Sequence, residues 1–323
     1  MSFGRFVLRR LLQAVLTLLL ATFVFHTALT LLPGDPVRAL FGPARPAPAI
    51  YEAMRAQYHF DDPWYLQYLL YLGDLLRGDW GTTFPGAARN AVVQGPPVTA
   101  ILKATIPVSL RILLAVLVVQ TVVGLVVGTL AAHWRSGWMG AAVYAWVILL
   151  VATPVIVVAF VIQSVFGWEL GWFPVAGLSG GWRGYVLPVV SLSAAATGYV
   201  TLMTRSQVNE MLHARFIHMA RARAIPEARI VGVHALRVSL IPVVTFVAAN
   251  FGQLLTGLVI VEGVYSLPGV GGTLLFAIQR RDPALLIGLL VFTTAVVLIA
   301  NLIADVLYGV IDPRVTGVGA GDP

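Results

Sequence analysis

Six long apolar runs divide the chain, and they constrain its fold more than any other feature of the sequence. The runs lie at about residues 7–32, 107–132, 138–166, 185–204, 240–261 and 283–311. A helix rises about 1.5 Å per residue, so a run of about 20 residues crosses the hydrocarbon core of a bilayer. Charged residues make up 11% of the chain, against about 25% in a typical soluble domain. The sequence therefore predicts an all-α polytopic membrane protein with about six transmembrane helices, the first of them retained and not removed as a signal peptide.

Arginine side chains fall unevenly on the two sides of these spans. With the N-terminus inside, the cytoplasmic segments carry eleven arginines: Arg5, Arg9, Arg10, Arg135, Arg205, Arg215, Arg221, Arg223, Arg229, Arg237 and Arg314. The two short outer loops carry three, which are Arg183, Arg280 and Arg281. Because positive charge concentrates on the cytoplasmic side, both the N- and C-termini are predicted to be cytoplasmic.

The connections divide the chain into four parts. They are an N-terminal transmembrane helix (1–32), an extracytoplasmic loop with short amphipathic helices (33–103), a five-helix core that includes a cytoplasmic loop at 205–238 (104–314), and a tail (315–323). An aromatic helix after Pro63 is expected at the membrane interface or against other outer loops. Pro154 is expected to kink or divide the third span, and 262–282 to form the last outer loop. Gly124 and Gly128 favour close helix packing.

Several kinds of chemistry are excluded by residues that the sequence lacks. Lys103 is the only lysine and is followed by alanine, so the chain has no phosphate-binding P-loop. It has no cysteine, which rules out disulfides and thiolate sites. Carboxylates are nearly absent from the spans, although ion-coupled transporters usually place them at mid-depth. Basic residues gather at span ends and not on a soluble face, so nucleic-acid binding is not expected. A transporter of this composition needs an external source of energy.

The longest polar interruption in the C-terminal half, 204–242, is the first candidate functional segment. Its pattern predicts two short helices with a bend near Ala224, the second helix beginning at Pro226 and Glu227. Small alanines keep the bend narrow, which suits a groove on a partner. A merely solvated basic loop is the alternative. The apolar residues argue against it; they are Phe216, Ile217, Met219 and Ile225.

Polar side chains within the spans are the second set of candidates. Asn250 and Gln253 lie one turn apart on one face of the fifth span, where they either line a pathway or form an interhelical hydrogen-bond pair. The fourth span carries three hydroxyls, which either bond to neighbouring helices or line a polar path: Ser191, Ser193 and Thr197. His26 in the first span is expected to be a neutral histidine bonded to a neighbouring helix, with a proton relay as the alternative.

The chain resembles the inner-membrane permease subunits of ABC importers, in the dipeptide, oligopeptide and nickel class. Almost the whole length carries the resemblance, in the segments LLPGDPV, YHFDDPW, RGDWGTT, GWFPVAG, VEGVYSLPGVGG, QRRD and NLIADVLYGVIDPR. The long first outer loop is similar to that of the first of the two permeases in such systems. The resemblance implies a type I ABC importer fold in the bacterial inner membrane.

The resemblance also implies function, partners and sites. The partners would be a second permease, two ATPase subunits that bind ATP and magnesium, an extracytoplasmic solute-binding protein and a peptide substrate, with no cofactor in this chain. The ATPase-coupling loop would comprise Phe216, Ile217, His218, Met219, Ala220, Arg221, Ala222, Arg223, Ala224, Ile225, Pro226 and Glu227. The outer-gate loop would include Glu262, Tyr265, Pro268 and Gly269. A stand-alone secondary transporter or channel, a membrane scaffold, and an importer for nickel chelates or haem are the alternatives.

Ala224 stands where the family's coupling loop usually has glycine. A left-handed backbone costs an alanine about 1–2 kcal/mol. We therefore expect an ordinary right-handed or extended bend at this residue.

Overall fold

The computed structural model describes residues 3–30, 48–57, 61–83, 95–134, 137–280 and 282–311. Regular secondary structure among these residues is helical, apart from one isolated bridge between Thr82 and Pro97. The helices are α1 (Phe3–Thr30), α2 (Pro48–Gln57), α3 (Trp64–Leu76), α4 (Val98–His133), α5 (Trp138–Ala152), α6 (Val155–Glu169), α7 (Arg183–Leu212), α8 (Arg215–Ala222), α9 (Glu227–Ala249), α10 (Phe251–Val264), α11 (Val270–Arg280) and α12 (Pro283–Ile311).

Contacts divide the chain into two compact units. The core unit comprises Met1–Arg10, Ser109–Leu267 and Ala300–Pro323, and the flanking unit comprises Leu11–Val108 and Pro268–Ile299. The division into four parts by sequence position stays a prediction.

In the part of the chain that the structure describes, five helices are long and apolar enough to cross a membrane: α1, α4, α7, α9 and α12. Helices α5 and α6 form a further apolar pair that is bent by 104°. The bend lies at Thr153 and Pro154, where Thr153 is extended with ψ 125°, because proline disfavours the helical conformation in the residue before it. The expectation that Pro154 divides the third span is confirmed.

The packing of α4 on α7 shows that this bent pair is one broken span. A Cβ at Gly124 would lie 2.6 Å from Val200 Cγ1, and a Cβ at Gly128 would lie 2.6 Å from Thr204 Cβ. A step of four residues on α4, from Gly124 to Gly128, corresponds to a step of four in the same sense on α7, from Val200 to Thr204. Helices α4 and α7 therefore run in the same direction, and α5 and α6 must return the chain across the membrane between them. The described residues therefore hold the predicted six spans, and the two glycines serve close packing within the chain.

Two predicted boundaries in the C-terminal part are wrong. The fifth span is interrupted at Asn250, whose side-chain amide donates a hydrogen bond to the Phe246 carbonyl (2.9 Å) while its backbone leaves the helical region (φ −88°, ψ 4°). Asparagine competes for backbone hydrogen bonds in this way. The expected outer loop at 262–282 is largely helical, because α10 continues to Val264 and α11 buries Val270, Leu274 and Ala277 along one face.

In the flanking unit α3 packs on α1; its predicted position, at the membrane interface or against other outer loops, stays a prediction. The Tyr68 hydroxyl donates to the Leu19 carbonyl (3.1 Å), and the ring of Phe23 meets that of Tyr68 edge to face. His26 stacks on the Tyr71 ring at 5.5 Å. Neither imidazole nitrogen has a hydrogen-bond partner among the described residues, so the expected interhelical hydrogen bond of His26 is wrong and ring contacts replace it.

Candidate functional site

The cytoplasmic segment after α7 forms two short helical pieces, α8 and the start of α9, as the sequence predicts. A buried apolar cluster holds α8 against the inner ends of three spans; it contains Ala132, Val208, Leu212, Ile217, Ile230, Val231 and Ala235, with Met211, Ala220, Ile225 and Leu236 packed on it. Ile217 is fully buried there. Helix α8 is therefore fixed to α4, α7 and α9 by apolar contacts.

The apolar residues of α8 separate into an inward and an outward set. Ile217 faces the cluster and Ile225 is half-buried against it. Phe216 and Met219 point away, with 42% and 60% of their surface exposed. Sequence reasoning grouped these four residues together, whereas the structure gives two of them a stabilising role and leaves two available to a partner.

The turn after α8 contradicts the expectation for Ala224, which adopts a left-handed backbone with φ 54°. Its N–H donates to the Arg221 carbonyl (2.9 Å) and the N–H of Ile225 donates to the Ala220 carbonyl (3.3 Å). This pair of bonds is the Schellman arrangement, which satisfies carbonyls at a helix end that would otherwise lack donors. The two bonds and the burial of Ile225 offset the strain of about 1–2 kcal/mol that a left-handed alanine carries.

The surface around this turn is cationic. Arg221 donates to Glu227 across the turn, with Nη2 to Oε1 at 2.6 Å and Nε to Oε2 at 3.2 Å, and this bond raises the pKa of Arg221. Three further exposed arginines surround it: Arg215, Arg223 and Arg229. Phe216 and Met219, with exposed arginines near them, would fit an apolar groove that has acidic residues at its border.

The pathway candidates of the fifth span line a cavity in the core unit. This cavity has a volume of about 240 Å³ and lies among α4, α6, α7, α9 and α10. Its lining is mostly apolar, with polar side chains from Gln120, Tyr199, Asn250, Gln253 and Thr256. Sequence reasoning missed Gln120, although a glutamine in the middle of an apolar span is the same signal that singled out Asn250 and Gln253.

The hydroxyls of the fourth span do not line this cavity. Ser191 is fully buried and its Oγ lies 2.9 Å from the Tyr265 hydroxyl. Ser193 is buried and donates to the Val190 carbonyl (3.2 Å), and Thr197 is half-buried. The fourth-span hydroxyls were predicted either to bond to neighbouring helices or to line a polar path, and Ser191 bonds to a neighbouring helix.

The outer residues named from the family pattern differ in exposure. Glu262 and Tyr265 are almost completely buried, at 0% and 1% exposed. Ser109 donates to Glu262 Oε1 (2.6 Å), and the Tyr265 hydroxyl donates to the Ala159 carbonyl (3.0 Å). The side chains of Glu262 and Tyr265 thus connect helices within the core unit by hydrogen bonds. In the flanking unit Pro268 is exposed and Gly269 is buried.

No group of three or more histidine and carboxylate side chains in the described ranges could hold a metal ion. The polar residues of the cavity are amides and hydroxyls. Such groups can bond reversibly to a passing solute, and their pattern is not that of a catalytic acid, base or nucleophile.

Comparison with known proteins identifies the family. Residues 124–317 match the inner membrane component of binding-protein-dependent transport systems, and residues 3–91 match the N-terminal part of such membrane components. The chain is 33% identical over 313 residues to the oligopeptide transport system permease protein OppB of Haemophilus influenzae, covering 96% of this chain and 99% of that protein. It is 32% identical to the protein of the same name from Salmonella typhimurium, with the same coverage.

A further relative is the glutathione transport system permease protein GsiC of Salmonella choleraesuis, which is 32% identical over 311 residues, 96% of this chain and 98% of that protein. The matches extend over both units and over every span described above, and the resemblance inferred from the motifs is confirmed. The chain is a multi-pass protein of the bacterial inner membrane and belongs to the family of inner-membrane permease components of binding-protein-dependent transport systems.

Proposed function

We propose that this chain is one of two permease subunits of an ATP-driven peptide importer and that it couples separate ATPase subunits to the transport pathway. Relatives named for oligopeptide and for glutathione transport support a peptide substrate, since glutathione is itself a small peptide. ATP and magnesium would bind to the ATPases, and an extracytoplasmic solute-binding protein would deliver the peptide to a cavity that this chain forms with the second permease.

The exposed apolar pair on α8 is the observation that carries the coupling role. Phe216 and Met219 remain in water while their neighbour Ile217 is fully buried. Exposing two large apolar side chains on an anchored helix is unfavourable unless a partner covers them. The surrounding arginines would pair with acidic residues at the border of the partner's groove.

The same contacts explain how a movement of the ATPases would reach the pathway. Helix α8 is packed on the inner ends of α4, α7 and α9. Those three helices, with α6 and α10, also line the cavity. A displacement of α8 on ATP binding would therefore be transmitted to the cavity walls, and the cavity would change the side of the membrane to which it opens.

The coupling proposal is tested with the double variant Phe216→Ala/Met219→Ala in the full-length chain. We expect normal membrane insertion, at least a roughly tenfold loss of ATPase co-purification, since central apolar contacts each contribute more than about 1 kcal/mol, and loss of ATP-driven uptake. The matched control is Val233→Ala, because Val233 is 51% exposed but lies outside α8. Undiminished co-purification of the double variant would contradict the proposal.

The substrate is tested by uptake into membrane vesicles, with labelled dipeptides, longer peptides, a nickel chelate and haem offered in turn. We expect peptide uptake that requires ATP and persists when the proton gradient is dissipated. Uptake without ATP would favour a stand-alone transporter or channel, and the absence of uptake for every solute would favour a scaffold.

The role of the cavity is tested separately with Gln253→Leu, which removes an exposed lining amide. We expect slower peptide uptake with ATPase co-purification unchanged. Ser191→Ala is the comparison variant, because Ser191 is buried away from the cavity. Equal uptake by wild type and Gln253→Leu would leave the amides with a packing role.

A further inference from the structure

A row of unsatisfied polar atoms follows one face of α7 near its cytoplasmic end. Thr201 Oγ1, Arg205 Nε and Asn209 Oδ1 are buried and have no hydrogen-bond partner among the described residues. Their spacing of four residues places them one above another on the helix. Buried polar atoms in native proteins are almost always paired, so this face of α7 holds hydrogen-bonding groups that the described chain does not satisfy.

Arg205 is the charged member of the row, and its surroundings are aromatic instead of acidic. Its guanidinium carbon lies 4.7 Å from the centroid of the Tyr144 ring on α5. No carboxylate pairs with it among the described residues. The ring contact orients the guanidinium and leaves its N–H donors without acceptors. Because a half-buried arginine without a counter-charge in a membrane span is unfavourable, an anion is the expected partner.

The depth of this site in the membrane identifies the kind of anion. Tyr144 lies six residues after Trp138, where α5 begins, or about 9 Å along the helix. Trp138 is 80% exposed, as expected for an aromatic residue at the membrane interface. The arginine-rich segments at this end mark it as cytoplasmic. Tyr144 and its neighbour Arg205 therefore lie just below the headgroups of the inner leaflet, and the long Arg205 side chain can extend toward the lipid phosphates.

The line of contact between α5 and α7 continues from this site toward the bilayer centre. A Cβ at Gly198, two turns before Arg205 on the same face, would lie 2.6 Å from Val151 Cγ2, so the helices touch there. Ile148, one turn deeper than Tyr144, is 43% exposed. A phosphate at Arg205 would thus have an apolar surface below it for an acyl chain, which free phosphate would not use.

We propose that Arg205 and Tyr144 form a binding site for the phosphate group of an anionic lipid in the cytoplasmic leaflet. The phosphate oxygens accept from the two terminal nitrogens of the guanidinium, because Nε is buried. Asn209 lies one turn away on the cytoplasmic side. Basic pockets between transmembrane helices on the cytoplasmic side bind anionic headgroups in this way. The site is independent of the cavity and of the coupling surface.

The test is native mass spectrometry of the full-length chain, purified from membranes with any subunits bound to it and titrated with phosphatidylglycerol or phosphatidylcholine. We expect the wild type to retain phosphatidylglycerol in preference to phosphatidylcholine. Arg205→Gln should weaken that retention at least about tenfold, the effect of losing one charge-assisted contact. Arg205→Lys, which keeps the charge but not the planar fork, should weaken it about threefold.

Arg237→Gln is the matched control, because Arg237 is an exposed cytoplasmic arginine of α9 without an aromatic partner among the described residues. It should leave retention unchanged. Gel-filtration profiles of the Arg205 variants distinguish lost binding from misfolding. Equal retention by wild type and Arg205→Gln would overturn the proposal. Arg205-dependent thermal protection by inorganic phosphate, without any preference for phosphatidylglycerol, would overturn the assignment to a lipid.

Discussion

The turns on either side of α9 and α10 have the same backbone and different surroundings. In the inner turn Ala224 has φ 54°, and in the outer turn Ser266 has φ 50°. The outer turn repeats the Schellman bonds, with the N–H of Ser266 donating to the Gly263 carbonyl (3.2 Å) and that of Leu267 donating to the Glu262 carbonyl (2.8 Å). A proline follows each turn in the sequence.

What differs is the position of the side chains. Arg223 and Tyr265 occupy the same place in the two turns, and Arg223 is exposed while Tyr265 is buried. The inner turn presents its side chains to a partner. In the outer turn, the buried hydroxyl of Tyr265 forms hydrogen bonds with Ala159 of α6 and Ser191 of α7. The same left-handed turn therefore lies at an exposed surface at the inner end of the span and in the buried core at its outer end.

The largest expected effect comes from truncating the buried member of this pair. Tyr265→Ala removes a fully buried aromatic side chain and should lower the free energy of unfolding by about 3–5 kcal/mol. Arg223→Ala, the matched change in the inner turn, should alter it by less than about 0.5 kcal/mol. Detergent denaturation followed by circular dichroism measures both. Similar losses from the two variants would show that the turns are not differently buried.

A smaller effect separates the polar contacts of the two turns. Ser109→Ala removes a hydroxyl donor from the buried Glu262 and should cost about 1–3 kcal/mol, with little dependence on salt. Glu227→Gln removes the exposed ion pair with Arg221 and should cost less than about 1 kcal/mol, an effect that disappears at high salt. The measurement is the same denaturation at low and high ionic strength; a salt-sensitive Ser109 variant would contradict the assignment.

The smallest effect tests what the turns share. Ala224→Gly and Ser266→Gly relieve left-handed strain, and each should raise the free energy of unfolding by about 0.5–1 kcal/mol after the entropy of glycine is included. The two gains should be equal within error because the strain is local. Ala224→Val should instead be destabilising. A loss of stability in either glycine variant would show that the left-handed backbone is not strained.

Most of the fold could be predicted, because hydropathy and charge act over whole helices. The six spans, the break at Pro154 and the two helical pieces after α7 follow from apolar length, proline chemistry and helix-start signals. The candidate sites were predicted only in part. Asn250 and Gln253 line a cavity as polar residues in an apolar span can, but the same reasoning placed Ser191 beside them, and its hydroxyl instead meets Tyr265.

Sequence reasoning was sufficient for the family, the membrane topology and the position of the cytoplasmic segment, since these depend on motifs and on sums over many residues. Only the folded chain determined the left-handed backbone at Ala224, the division of Phe216 from Ile217 and the burial of Glu262. Each of these depends on single contacts between segments far apart in sequence, such as Ser109 with Glu262. The energy of such contacts is absent from any local pattern and appears only when the helices pack.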